Sequence, residues 1–352
     1  MIRGEAIDAF PPARRSEDLV AGAALSLLLL LAVAAYGCWV VGGRGLDVGT
    51  DTRVYAGFFL SIGQQPIETR LEAGFVLVTY LLRKLGLDAN GYLTAMFALL
   101  LLAVAAATRT YHRYLGGGRG YLTLLSAALM LLFVSPMFVN GSINAMRQGM
   151  AAPLVFAALL CFQQRRWWAF LAYGAVATSL HLSSLLYLAC VPALLLSGGW
   201  QRVLAVAAFL VYVSGLSQIL VQALLPALHT MVMEYTPNAH YRIGVRPDFA
   251  VFSFFWYVLA QMLLPLVRGE YRDAIRRSTE AYLVMLLPFF AIGWGYFSNR
   301  YLLPGWISVS LILAAVLCHS RLAPLRQPLL IRFGLVAACP VLYFLVTREI
   351  VI

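Results

Sequence analysis

Five ionisable side chains stand where a mostly apolar chain turns briefly polar: Asp51, Glu72, Arg147, His181 and Arg300. An arginine fork fits phosphate oxygens and keeps its charge at any working pH. Arg147 lies in SINAMRQGMAAPLVFAALL (142–160), at the start of a long apolar stretch, and the free N–H groups of a helix start also favour an anion. Arg300, between Asn299 and Tyr301, offers a second cation. His181 titrates near neutrality and could donate to an anion or act as a base. Asp51 or Glu72 could take a proton from a hydroxyl within hydrogen-bond reach. Together these groups could hold an anionic leaving group and activate an attacking hydroxyl. Each also has a plainer role. An arginine can snorkel to headgroups, a histidine can bond a backbone carbonyl, and either carboxylate can pair with Arg53, Arg70 or Arg147.

The neighbours divide the same way. Asn144 and Gln148 flank Arg147 and either orient it, bind ligand hydroxyls or cap the helix. Tyr55 falls four residues after Asp51, on the same face if that stretch is helical, and reads as packing or as a ring platform. Arg242 and Arg246, with Glu234, His240 and Asp248, lie in PALHTMVMEYTPNAHYRIGVRPDF (226–249), either a lid or a solvated loop. Asp47 and Asp51 are a weak hint of a divalent ion, His229 and His240 lack zinc spacing, and there is no HExxH, P-loop, GxSxG or nucleotide-binding glycine fingerprint. No metal or cofactor is called for.

The elements that must position these groups are membrane helices. The chain has 352 residues, 62% hydrophobic and 12% charged, with mean hydropathy +0.81. No soluble domain hides that much apolar surface, and with no alternating strand pattern the spanning elements are helices. The five cysteines all lie in apolar runs with no CxxC and read as small buried residues. Residues 1–19 read as a polar arm, with no cleavable leader expected. Residues 20–350 form one transmembrane domain, with spans expected at 20–41, 90–108, 120–136, 148–163, 167–181, 182–197, 201–221, 250–267, 281–297, 301–318 and 329–347. The pair 167–181 and 182–197 is short and reads as tilted or broken around His181. EAGFVLVTYLLRKLG (72–86), about 22 Å as a helix, is shorter still. Treated as a re-entrant or juxtamembrane helix, it leaves the basic stretches 109–119, 163–168, 267–277 and 320–327 on one side, as the positive-inside rule requires. The expected topology is then N-terminus inside, eleven spans, C-terminus outside. Residues 42–89, His181, 226–249 and 298–301 converge on the outer face. The net charge of +11 mostly reports cytoplasmic loops beside anionic lipid and could also mean an anionic substrate, with no nucleic acid expected.

Four stretches occur in a recognisable order: TDTRVYAGFF, ETRLEAGFVLVTYLLRKLGL, INAMRQGMAAPLVFAALLCF and ATSLHLSSLLYL. In this order they resemble the EpsG family of bacterial exopolysaccharide polymerases, themselves similar to Wzy polymerases of O-antigen and capsule. Arg300 in GYFSNRYLL is similar to a late outer-face arginine of that family. Ala73 departs from it, standing where the family often has proline. The resemblance implies an all-α, GT-C-like helix bundle in the bacterial inner membrane, with its active site facing the periplasm. It implies a glycosyltransferase that polymerises repeat units carried on undecaprenyl diphosphate, moving the growing glycan onto the non-reducing end of a new lipid-linked unit. Asp51, Glu72 and His181 would then be catalytic, and Arg147 and Arg300 would bind diphosphate. Tyr55, Asn144, Gln148, Arg242 and Arg246 would bind or orient sugars. Partners would be the donor and acceptor lipids, membrane lipids, and a chain-length regulator and flippase of the same pathway.

Competing classes share some of these features. A lipid-linked oligosaccharide flippase would also have many spans and buried arginines, but it should carry an internal repeat, and the two halves here do not match. An O-antigen ligase would use the same donor with another acceptor. A membrane acyltransferase is suggested by His181 alone.

Overall fold

The computed structural model describes residues 12–63, 69–234 and 242–350. Residues 1–11 of the expected arm and residues 235–241 of the expected lid, His240 among them, lie outside that set. Among the described residues there are sixteen α-helices and no strand. The first run is α1 (Pro12–Gly42), α2 (Thr52–Ser61), α3 (Ala73–Lys84) and α4 (Ala89–Tyr114). It continues with α5 (Tyr121–Phe133), α6 (Pro136–Ile143), α7 (Met146–Gln163), α8 (Trp167–Leu180) and α9 (Ser184–Ala189). Then follow α10 (Gly198–Val213), α11 (Leu216–Leu224), α12 (Pro226–Met233) and α13 (Pro247–Leu263). The last three are α14 (Gly269–Ile292), α15 (Leu303–Cys318) and α16 (Pro328–Thr347).

Local sequence explains many of the ends. Asp88 caps α4 by accepting from the Gly91 N–H at 2.7 Å. Proline opens α6, α12, α13 and α16, where its missing N–H costs nothing and its φ suits the first turn. Two helix pairs bend by 85°: α5 into α6 just before Pro136, and α10 into α11 at Gly215, whose φ of +78° few other residues adopt.

Each of the eleven expected spans lands on helical segments, of which fewer meet a length-and-composition criterion for a crossing. By length and composition α1 (from Ala21), α4, the Pro247–Leu266 stretch and α16 suffice alone, and the two bent pairs raise the number to six. The expected 182–197 span is a six-residue helix followed by a 3-10 turn, and the expected 201–221 span breaks at Gly215. Eleven crossings would put the termini on opposite sides, whereas four or six would put them on the same side. The expected arm also shortens, because α1 already begins at Pro12. The 226–249 stretch carries α12 as well as loop, and 42–89 carries α2 and α3. The latter helix, twelve residues or about 18 Å, is too short to cross.

At the centre stands α7. Nearly every residue from Gln148 to Cys161 is buried, against α4, α8, α15 and α6. An element apolar all round belongs inside the bundle. The chain doubles back from α6 into α7 through only Asn144 and Ala145. Glycine allows this, since a Cβ on Gly149 would lie 2.1 Å from the Gly141 carbonyl oxygen. Such close backbone approach through small residues is a common way for membrane helices to pack. Polar contacts add to it: Trp306 Nε1 donates to Ser253 Oγ at 2.8 Å, and the Tyr111 and Ser278 hydroxyls meet at 2.7 Å.

The expected basic stretches gather at one end. There the Tyr114 hydroxyl donates to Gln163 and the Arg268 N–H to the His319 carbonyl, joining the last turns of α4, α7 and α15 to the first turn of α14.

Gly149→Ala should force α6 off α7 and lower stability by about 1–3 kcal/mol. Gly57→Ala, on α2 with open space at its Cβ, should be neutral or slightly stabilising. Thermal unfolding of the two purified variants checks this, and equal melting temperatures would refute the packing role.

Candidate active site

At the end away from the basic loops, Glu72 is the meeting point. It is the N-cap residue of α3, extended at φ −68°, ψ 143°. Its carboxylate accepts from Arg147 Nη1 on one oxygen. The other oxygen lies 2.9 Å from His181 Nδ1 and accepts the Leu182 N–H at 3.0 Å. That N–H is free because α8 stops at His181, where the backbone turns extended (φ −155°, ψ 116°). The break expected near His181 therefore has a local purpose. A carboxylate only accepts, so the imidazole carries its proton on Nδ1 and leaves Nε2 as its open position. Close packing brings the partners together: a Cβ on Gly74 would lie 2.4 Å from Ser179 Oγ and 2.7 Å from its carbonyl oxygen. Only glycine lets the start of α3 rest against the last turn of α8.

Burial of Glu72 on its own would raise its pKa. The His181 and Leu182 hydrogen bonds and the Arg147 charge outweigh that and hold it down at about 2. Glu72 is thus an anion with its oxygens committed, a poor proton acceptor and a firm holder of the Arg147 and His181 side chains.

Arg147 occupies the first turn of α7. Besides Glu72 it interacts with the Tyr55 hydroxyl and lies 5.9 Å from the Phe75 ring centroid. Its Nε is buried and has no partner among the described residues. Tyr55 itself is buried against Phe75 and senses the charges of Arg147, Asp51 and Arg300, so it joins two ion pairs and has no exposed ring face to offer as a platform. The second pair is Arg300 Nη2 with Asp51 Oδ2 at 3.4 Å, both about one-third exposed. Arg300 lies over the Phe297 ring at 4.2 Å, and Phe297 adopts a left-handed φ of +55°, a costly conformation that aims the turn.

Asn144 and Gln148 tie chain segments together. Asn144 Oδ1 accepts the Thr50 N–H at 2.8 Å and its amide donates to Asn140 Oδ1, which pins the loop carrying Asp51 to the α6–α7 turn. Gln148 Nε2 donates to the Arg300 carbonyl at 2.5 Å, tying the two arginine-bearing segments together. Both side chains are buried. The structure therefore brings Asp51, Tyr55, Glu72, Asn144, Arg147, Gln148, His181 and Arg300 to one site.

Two candidates stand apart. Arg242 is exposed before α13, and Arg246 is committed to Asp248 (2.5 and 3.0 Å) and stacked on Phe249 at 3.9 Å. Among the described residues neither contacts the site. They flank Gly244, whose N–H donates to the Trp294 carbonyl and holds this loop beside Trp294. No group of three or more His, Cys, Asp or Glu among the described residues could hold a metal ion.

Three contributors were not singled out from the sequence. Arg44 is buried, bonded to the Val41 carbonyl and 3.3 Å from Thr52 Oγ1, and burial lowers its pKa to about 10, so it stays charged. It anchors the start of α2 next to Asp51. Phe75 and Phe297 lie under the two arginines. Their only signal was an aromatic close in sequence to each motif, in EAGF and YFSNR.

The sequence profile of the EpsG family matches residues 27–350, nearly the whole chain. The chain belongs to the EpsG family. No curated protein and no solved structure shows significant similarity to it. The matched stretch takes in every member of the site, from Asp51 on the first loop to Arg300 before α15. EpsG membership, the apolar helices and this polar site agree on a membrane protein of exopolysaccharide synthesis.

Glu72→Gln should cost on the order of 2 kcal/mol, less than the roughly 3–5 kcal/mol of a fully buried pair because both partners keep some solvent contact. The folded-state pKa is depressed, so the stabilisation is present above the unfolded value of 4.5 and fades as pH falls toward about 2. The gap between wild type and variant in unfolding experiments should be constant from pH 8 to 5 and close below pH 4.5. A gap that opens only above pH 6 would assign the effect to another group.

Proposed function

We propose that this protein polymerises oligosaccharide repeat units carried on a polyprenyl diphosphate. The observation that carries this reading is the paired cation site: Arg147 and Arg300, each held by a carboxylate and joined through Gln148, with Glu72, the partner of Arg147, also lining an apolar groove. The groove, about 680 Å³, runs along α8 and α9 with Leu171, Leu182, Leu185 and Leu188 in its wall and Arg70 and Glu72 at its mouth. A lipid chain lies in such a groove while its charged head meets the arginines, and the unpartnered Nε of Arg147 is a donor ready for a phosphate oxygen.

In the reaction the acceptor hydroxyl oxygen bonds to the anomeric carbon of the growing glycan. The bond from that carbon to the diphosphate breaks, and the diphosphate leaves with the electron pair. Arg147 and Arg300 neutralise the charge that grows on it, where preorganised donors contribute most. The hydroxyl proton goes to Asp51, which is partly exposed and held only by long contacts with Arg300 and Thr50. Glu72 keeps Arg147 and His181 in place. No nucleotide is consumed, since the diphosphate linkage supplies the driving force. The site faces the periplasm, with the basic loops at the cytoplasmic end.

Purified protein given a diphosphate-lipid-linked repeat unit should produce a ladder of longer glycans. A single transfer to a different acceptor would make it a ligase, and unchanged glycan would favour a transporter. Arg147→Lys keeps the charge but loses the fork, and should cut polymerisation roughly 100- to 1,000-fold at matched membrane levels. Arg300→Lys should act in the same direction, and the double variant should be far from additive if both grip one diphosphate. Wild-type ladders from both variants would return these arginines to the role of membrane anchors.

Orientation is tested separately. With the native cysteines replaced by alanine, a cysteine at Arg53 should react with an impermeant reagent from the periplasm and one at Gly269 should not. The reverse labelling would turn the site to the cytoplasm.

A further inference from the structure

We propose that the end of the bundle opposite the Glu72–Arg147 site holds a phosphate carried on a polyol, gripped by Arg113, Arg166 and Arg277. A cavity of about 710 Å³ opens there between the last turns of α4 and α7 and the start of α14, and all three arginines line it. Its walls are fixed. The Tyr114 hydroxyl donates to Gln163 Oε1 at 2.8 Å, and Gln163 Nε2 donates to the Arg277 carbonyl at 2.9 Å, joining the three helices across the cavity. Two carboxylates also line it, but each is answered by an arginine outside the lining: Glu270 by Arg268 at 3.5 Å and Asp273 by Arg276 at 3.3 Å. Arg113, Arg166 and Arg277 form no salt bridge among the described residues, so three guanidinium groups line the space without a direct ion pair, only Arg277 sensing a further carboxylate, Glu280.

The second requirement comes from Gln164. This residue lines the cavity, and its buried Oε1 has no hydrogen-bond partner. A buried acceptor of this kind calls for a donor, which an ionised phosphodiester lacks and a hydroxyl beside it supplies. The depth is that of a headgroup: Arg166 is followed by Trp167 and Trp168, 51% and 86% exposed, the amphipathic rings that settle at a membrane interface. A glycerophosphate headgroup has this chemistry, and so does a soluble polyol phosphate. Nothing here depends on the transfer reaction at the other end.

The test uses the full-length purified protein, offered phosphatidylglycerol or phosphatidylcholine with the same acyl chains, with retention read by native mass spectrometry. Phosphatidylglycerol should be retained selectively. The variant R113Q/R166Q/R277Q should lose on the order of 100-fold in retention, at roughly fivefold per basic residue near an anionic headgroup. The control R119Q/R321Q/R326Q removes the same charge from the same end outside the cavity, and should retain the lipid as wild type does. Equal loss in both triple variants would reduce the effect to general surface charge and overturn the site. If the cavity variant unfolds, R113Q and R166Q singly should each weaken retention roughly fivefold, and unchanged retention in both would overturn the site. Displacement of the lipid by glycerol 3-phosphate would assign the site to a soluble ligand, and retention in its presence to the membrane. Binding of neither probe that depends on the three arginines would end the proposal.

Discussion

One carboxylate organises the functional end of this protein. Burying Glu72 is unfavourable unless donors surround it, and the fold supplies three from two other elements: a guanidinium from the first turn of α7, and an imidazole and a backbone N–H from the end of α8. Each imposes a demand on the chain. For the Leu182 N–H to be free, α8 must end at His181. For α3 to reach that end, its second residue must be glycine, because Ser179 leaves no room for a Cβ. For Arg147 to arrive from the opposite side, the α6–α7 connection must be tight, and the Gly141–Gly149 contact makes it so. Several irregularities that would weaken an ordinary helical bundle thus follow from satisfying a single anion.

The two ends of the bundle solve the problem of charge differently. At the Glu72 end, Arg147 and Arg300 are matched with carboxylates and aromatic rings and lie partly buried. At the other end they outnumber the carboxylates and stay mostly exposed, where solvent and lipid headgroups carry the cost of the charge. Between them the central helix α7 is almost wholly buried and carries charge only near its start.

The helical, membrane-embedded class was legible because composition alone decides it. The site was legible to the extent that its members are types rarely placed at the edge of apolar runs, and Asp51, Glu72, Arg147, His181 and Arg300 did come together. What the sequence hid was hydrogen-bond direction. Nothing in INAMRQ distinguishes an amide facing a ligand from one turned inward, and both Asn144 and Gln148 turned inward to backbone groups. Arg246 has the same residue type as Arg300, yet an aspartate two positions away captured it. The sequence also hid the bends: the apolar run across Gly215 is continuous in composition and broken by 85° in space.

The amide of Gln148 has a consequence of its own. It follows Arg147 directly in the chain and clasps the backbone that carries Arg300, so the two guanidiniums cannot drift apart independently. With a diphosphate between them, their separation would act as a ruler. If they grip a diphosphate, a carrier with one phosphate satisfies only one of them, and the site tells the loaded lipid from its recycled monophosphate form without reading the sugar. The same ruler fits the spent diphosphate carrier as well as the substrate, so such an enzyme would be slowed by its own by-product, and its pace would depend on how quickly the membrane clears it.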